Sequence, residues 1–184
     1  MSEKDVEMSI KLKRASQLLF FQRHRKPGLR GWELKKILGK DFMSIIDLLN
    51  SELDKLNLQV KVVFEDFEAI DKPSEEQIDR ARFFITIKNP LVVSDVTTSG
   101  WRIDDIAALA ATIALIISRQ GKAPKRDVEQ ILREKFPKWR VDMNLDRFIK
   151  NGYLSKDDKD ILYIGWRTRA EIDQKMLMDL LLAK

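Results

Sequence analysis

The chain has 184 residues, with 34 Lys or Arg against 29 Asp or Glu and a formal net charge of +5. It contains no cysteine and one histidine, His24, which excludes thiol nucleophiles, disulfides and any cysteine-based zinc site. A hydrophobic content of 44% with only seven glycines and five prolines points to a folded, helix-rich protein, long enough for one domain or two small ones.

The N-terminus, MSEKDVEMSIKLKR, is charged throughout and does not fit a signal peptide. With the lack of cysteine, it suggests an intracellular setting. Residues Val6–Gln22 carry an irregular apolar stripe, Ile10, Leu12, Leu18, Leu19 and Phe21, and predict a helix. A basic turn, RHRKPG, holds His24 among charges and leads into a second helix in LRGWELKKIL. Asp41 is placed to cap a third helix, FMSIIDLLNSELDKL, that ends near Leu56. LQVKVVFE alternates and is rich in Val, as a strand should be. The acidic EDFEAIDKPSEEQID reads as a loop or short helix, and RFFITIKNP as a second strand.

The order then recurs. Ile103–Ser118 predicts an apolar helix; its run Ile106–Ile117, about 12 residues, is too short to span a bilayer and reads as a core helix. After the basic turn RQGKAPK come helices over Lys125–Phe136 and Met143–Asn151, with Gly152 closing the latter. Tyr153–Leu154 and Ile161–Ile164 form two short strands around SKDDKD, and a last helix runs from Thr168 to about Leu182. ELKKILGKDF aligns with DVEQILREKF, so that Leu34, Ile37, Leu38 and Phe42 fall on Val128, Ile131, Leu132 and Phe136, spaced for one helix face.

Three helices followed by a β-hairpin is the winged-helix plan. The expected fold is therefore α+β, mainly helical: tandem winged-helix domains, each with three helices and a β-hairpin wing. The first domain spans 1–90, a linker 91–100, and the second domain with its C-terminal helix 101–184. The competing reading is one α+β domain whose halves merely look alike.

At the last strand-to-helix junction the chain reads W-R-T-R-A, and Trp166, Arg169 and Ala170 match the W-G-P-R-A signature of the MAGE homology domain. Gly121, Ala123 and Pro124 match its G-x-A-P, and Tyr153-Leu154 its Y-L. Arg167 and Thr168 replace the family's Gly and Pro. The chain thus resembles the MAGE and kleisin-interacting tandem winged-helix (KITE) proteins of SMC complexes, with the specific residues concentrated in 103–173. The resemblance implies a non-catalytic scaffold that meets a second winged-helix subunit through its first domain and a kleisin through its second. Family members also partner RING ubiquitin ligases, which this chain would meet only in trans, as an adaptor. Read without the family, Trp166 caps a small core, an Arg beside it stacks on its face, Thr168 and Glu171 form a capping box, and Arg167 faces outward.

No phosphate loop, HExxH or GxSxG occurs, and the carboxylate runs Glu65–Asp71 and Asp157–Asp160 read as solvated loops, so no catalytic residue, cofactor or metal is expected. Charge is more informative. Arg23 to Lys40 holds seven cations and one acid, and Arg119 to Arg140 holds eight and three. Both clusters surround the turn into a second helix, which suits contacts to DNA phosphates. The expected contacts are Arg23, Arg25, Lys26, Arg30, Arg119, Lys122, Lys125, Arg126, Lys138 and Arg140. Sequence reading of bases is not expected: the first third helix carries Asp47, Glu52 and Asp54, and the second offers only Asn144, Arg147, Lys150 and Asn151. Surplus apolar residues Phe42, Ile45, Ile46, Leu49 and Leu53, with Met176 and Leu180 near the C-terminus, suggest a partner surface. The function expected is a scaffold binding double-stranded DNA and a kleisin or winged-helix partner in the cytoplasm, nucleoid or nucleus, with oligomers allowed and no membrane. The alternative is a winged-helix transcription regulator acting as a homodimer.

Overall fold

Strand alternation and helix periodicity assemble the same small architecture twice. The computed structural model describes residues 3–21, 27–64, 73–89 and 100–173, with residues 175, 177 and 179. Two compact units, residues 1–90 and 91–184, each enclose a core of their own.

In the first unit, helix α1 (Glu3–Phe21) leads by way of a two-residue strand β1 (Leu29–Arg30) to α2 (Gly31–Leu38), α3 (Phe42–Asp54) and strand β2 (Leu58–Val63). A short helix α4 (Glu75–Arg80) precedes β3 (Arg82–Ile87). The sheet order is β1-β3-β2, antiparallel throughout, with Leu29 opposite Phe83 and Val60 opposite Ile85. The second unit repeats this with α5 (Ile103–Ser118), β4 (Lys122–Pro124), α6 (Lys125–Arg133), α7 (Lys138–Lys150), β5 (Leu154–Lys156) and β6 (Ile161–Ile164), followed by α8 (Trp166–Glu171). Its sheet order is β4-β6-β5, again antiparallel, with Ala123 opposite Leu162. These are tandem winged helices in an α+β, mainly helical chain.

The aligned segments share burial as well as spacing. Leu34 and Leu38 in α2 are buried, as are Val128 and Leu132 in α6, while Ile37 and Ile131 stand 43% and 40% exposed. The aligned apolar positions therefore do not all share the buried face. α5 matches its expected span and buries Leu109, Ile113 and Ile116. α7 starts five residues before the expected Met143, because Pro137 sits extended at its N-cap and its fixed φ suits the approach to a helix. α4 has a complete capping box, Ser74 accepting from the Gln77 amide at 3.2 Å while Gln77 accepts from the Ser74 amide at 2.9 Å. β1 and β4 were not expected.

The C-terminal junction differs from its expected form. Gly165, not Thr168, is the N-cap. Thr168 is buried inside α8, where its hydroxyl donates to the Tyr153 carbonyl at 2.6 Å. The reason is tertiary: the Gly165 amide donates to that same carbonyl at 2.8 Å, so the chain enters the helix directly from β6. Arg167 does not face outward. Its guanidinium lies 4.8 Å from the Tyr153 ring centre and donates to Glu171 at 3.0 Å, and Glu171 also accepts from the Tyr153 hydroxyl at 2.8 Å. The single helix expected from Thr168 breaks at Ile172, which is extended.

Candidate nucleic-acid interface

The basic corner of the second unit is built by β4 and the start of α6. Gly121, with φ +87, turns the chain out of α5, and the pairing of Lys122–Pro124 with β6 fixes where the following cations emerge. Lys122 is exposed and has no acidic partner among the described residues. Arg119 and Arg126 converge on Asp127, Arg126 through Nε at 3.2 Å, and the bond from Arg119 holds the Asp127 carboxyl below the usual range. Arg126 nonetheless leaves its side chain 86% exposed. Lys125 pairs with Glu129 at 3.4 Å. Lys138, at the start of α7, is exposed and has no acidic partner among the described residues.

Arg140 is a correction. Its side chain is only 16% exposed and pairs with Asp104 at 3.1 Å and Asp105 at 3.2 Å. Asp105 is itself buried and also receives Arg147 at 3.2 Å, whose guanidinium lies 4.2 Å from the Trp101 ring centre. These charges pin α5 to α7 and are not offered to a ligand.

In the first unit, Arg23, Arg25 and Lys26 lie outside the described residues. Arg30 turns back and donates to the Arg80 carbonyl at the end of α4. Lys35 is drawn to α4 as well, pairing with Asp79 at 3.3 Å and Glu75 at 3.4 Å, and the bond to Asp79 raises its pKa. Lys36 and Lys40 remain exposed without acidic partners among the described residues. The acidic α4 thus consumes part of the charge that the sequence places around α2.

The third helices keep little with which to read bases. The exposed positions of α3 include Ser44, Asp47, Ser51 and Glu52. In α7, Asn144 is fully buried and Arg147 is committed to Asp105, which removes two of the four candidates. The second wing is short and its tip is locked by Asp157, which accepts from the Lys159 and Ile161 amides and from the Tyr163 hydroxyl, each at 2.9 Å.

The expected partner surface also needs correction. Phe42, Ile45, Ile46, Leu49 and Leu53 are all buried at 4% exposure or less and form the core of the first unit with Leu34, Val60 and Phe83. The three-helix unit closes over them, because α1 and β2 both pack on α3. The side chains of Met176 and Leu180 lie outside the described residues. The apolar groups actually presented are others. Phe21 is 74% exposed and lines, with Arg14, Gln17, Leu18 and Ile37, a groove of about 330 Å³ between α1 and α2. Trp139 on α7 is 65% exposed and Met143, one turn on, is 49% exposed. The sequence holds a signal for Trp139, which stands in FPKWR between two cations just past a proline. It holds none for Phe21, whose neighbours in α1 are equally apolar.

No protein-family model and no curated protein sequence matches this chain. Among solved structures, a chain of the Nse1-Nse3-Nse4 complex is similar, with a TM-score of 0.67 at 14% sequence identity over 98% of this chain and 90% of that one. At that identity the likeness is one of fold, and it spans both winged-helix units. No helix among the described residues is long and apolar enough to cross a membrane.

Proposed function

We propose that this protein is a non-catalytic scaffold subunit of an SMC-type chromosome complex in the nucleoid or nucleus. It binds a kleisin or a second winged-helix subunit, and it binds DNA through the phosphate backbone without strong sequence preference. The fold likeness to a chain of the Nse1-Nse3-Nse4 complex and the W-R-T-R-A junction both support the scaffold reading. The DNA reading rests on one observation: exposed cations stand on β4, α6 and the start of α7, while the third helices keep few side chains that could reach base edges. Lys122, Arg126 and Lys138 make the phosphate contacts, with Arg119 and Lys125 behind them. The groove of Leu18, Phe21 and Ile37 in the first unit is the surface for a protein partner.

Two measurements test this. Purification from the native cell should recover a kleisin or winged-helix protein with this chain, and Phe21→Asp should release it. Binding to random duplexes should weaken with salt, log affinity falling by roughly 0.9 per phosphate contacted for each tenfold rise. Lys122→Glu, Arg126→Glu and Lys138→Glu together should lower that slope by about 2 to 3. An unchanged slope would remove the corner from the DNA surface.

A further inference from the structure

Trp139 is the most exposed of the four tryptophans at 65%. Trp101 stacks on Phe148 with ring centres 6.1 Å apart, and Trp166 is half-buried. Trp32, in the first unit, is 53% exposed. Arg133, Lys135 and Lys138 lead up to Trp139 in the chain; all three are exposed and none has an acidic partner among the described residues. Glu134 is the one acid between them. Farther along α7, Asp142 and Asp146 follow, and an intact duplex laid along the helix would bring phosphates against both. The face of the helix that carries Trp139 is therefore suited to a nucleic-acid backbone at its first turn.

A water-exposed indole that follows Lys138 in the chain, with Arg133 and Lys135 a few residues before it, fits one class of ligand well. Every nucleobase has a flat face that stacks on an aromatic ring, but in a duplex those faces are covered by neighbouring pairs. A protein partner fits less well. Trp139 and Met143 are the only exposed large apolar groups on α7, whereas a stable protein interface takes about 800 Å² from each side. One unpaired base needs one ring.

We infer that Trp139 is a stacking platform for an unpaired base, and that the second unit prefers single-stranded DNA, or the boundary between single and double strands, to continuous duplex. The inference rests on the DNA reading above and deepens it. Arg133, Lys135 and Lys138 hold the backbone of the strand whose base lies on the indole.

The test uses the full chain with a labelled oligo-dT and a random duplex of equal length, at matched salt. The wild type should bind oligo-dT more tightly, and oligo-dT should quench its tryptophan emission. Trp139→Ala should weaken oligo-dT binding by about 5- to 150-fold, the range that truncation of one stacking residue gives. Its duplex affinity should change less than about twofold. Trp139→Phe, which keeps a ring, should retain most of the oligo-dT affinity but lose the quenching, because the stacked indole is gone and the emission left comes from Trp32, Trp101 and Trp166. Equal oligo-dT binding by wild type and Trp139→Ala, with duplex still bound, overturns the platform and leaves the phosphate reading standing. Wild type that binds neither DNA overturns both. Release of a co-purifying protein by Trp139→Ala, with both DNAs bound as before, assigns the ring to a protein interface and also ends the inference.

Discussion

A glycine and a tryptophan hold the base of the second wing. Gly152 has φ +80, and a Cβ there would lie 2.3 Å from the Trp166 indole nitrogen. Gly165, directly before that Trp, would place a Cβ 2.2 Å from the Gly152 carbonyl oxygen. Gly121 provides the control: its φ is +87, but a Cβ there would meet nothing within 4 Å. Gly121→Ala should therefore cost only the left-handed conformation, roughly 1–2 kcal/mol. Gly152→Ala should cost that and overpacking, about 2–5 kcal/mol in all by urea unfolding. The same wedge shows what the sequence concealed. Trp166, Arg169 and Ala170 were legible as a motif, but Thr168 and Glu171 follow the spacing of a capping box and do not form one. Their partners are on Tyr153, which for Thr168 lies 15 residues earlier. Local grammar is identical in the two cases, and only the approach of the two glycines decides between them.

Among the elements, the second wing makes the sharpest claim about pH. The Asp157 carboxylate accepts from two backbone amides and a phenol, and the amide of Ile161 is the main reason its pKa falls below the ordinary 3.8. A carboxyl whose pKa is lowered on folding stabilises the folded form fully above its unfolded value and ceases to do so as pH falls through the folded value. The wing tip should thus stay intact down to about pH 4 and loosen below it, with the Lys159 and Ile161 amide resonances shifting together on acid titration. Asp157→Asn should remove the part of that shift that Asp157 causes, leaving the part due to Asp160, whose carboxyl sits between the two amides and is itself held low by its bond from Lys156. Long, strongly patterned elements such as α5 and β2 were legible from spacing. β1 and β4, at two and three residues, are too short to alternate, and pairing with the last strand of each unit is what makes them strands. α4 fell in a stretch read only as a loop or short helix, and no local pattern says that it will pack on α2 and take Lys35 for its own acids.

For the molecule as a whole, the separate cores predict independent responses to damage. Leu34→Ala and Ile113→Ala each empty a fully buried site, at about 2–5 kcal/mol. Each should speed hydrogen exchange of the slowest amides in its own unit and leave those of the other unchanged. The charge follows a similar division, and here the sequence misled. Counting residues places a basic cluster at the same corner of both units, but a count does not know which acid each cation meets. In the first unit Lys35 and Arg30 are turned onto α4, and the exposed side of α3 carries Asp47 and Glu52. In the second, Lys122 and Lys138 keep clear of acids among the described residues, and Arg126 stays exposed despite Asp127. If phosphate binding follows the charge that the described residues leave exposed, and the acids of α3 keep phosphates away from Lys36 and Lys40, it belongs to the second unit. Lys36→Glu with Lys40→Glu should then leave the salt slope of duplex binding within about 0.5 of wild type, while the triple reversal of Lys122, Arg126 and Lys138 removes about 2 to 3. Equal losses from the two sets would mean that α4 does not neutralise the first unit in solution, and that the duplicated fold carries a duplicated DNA surface after all.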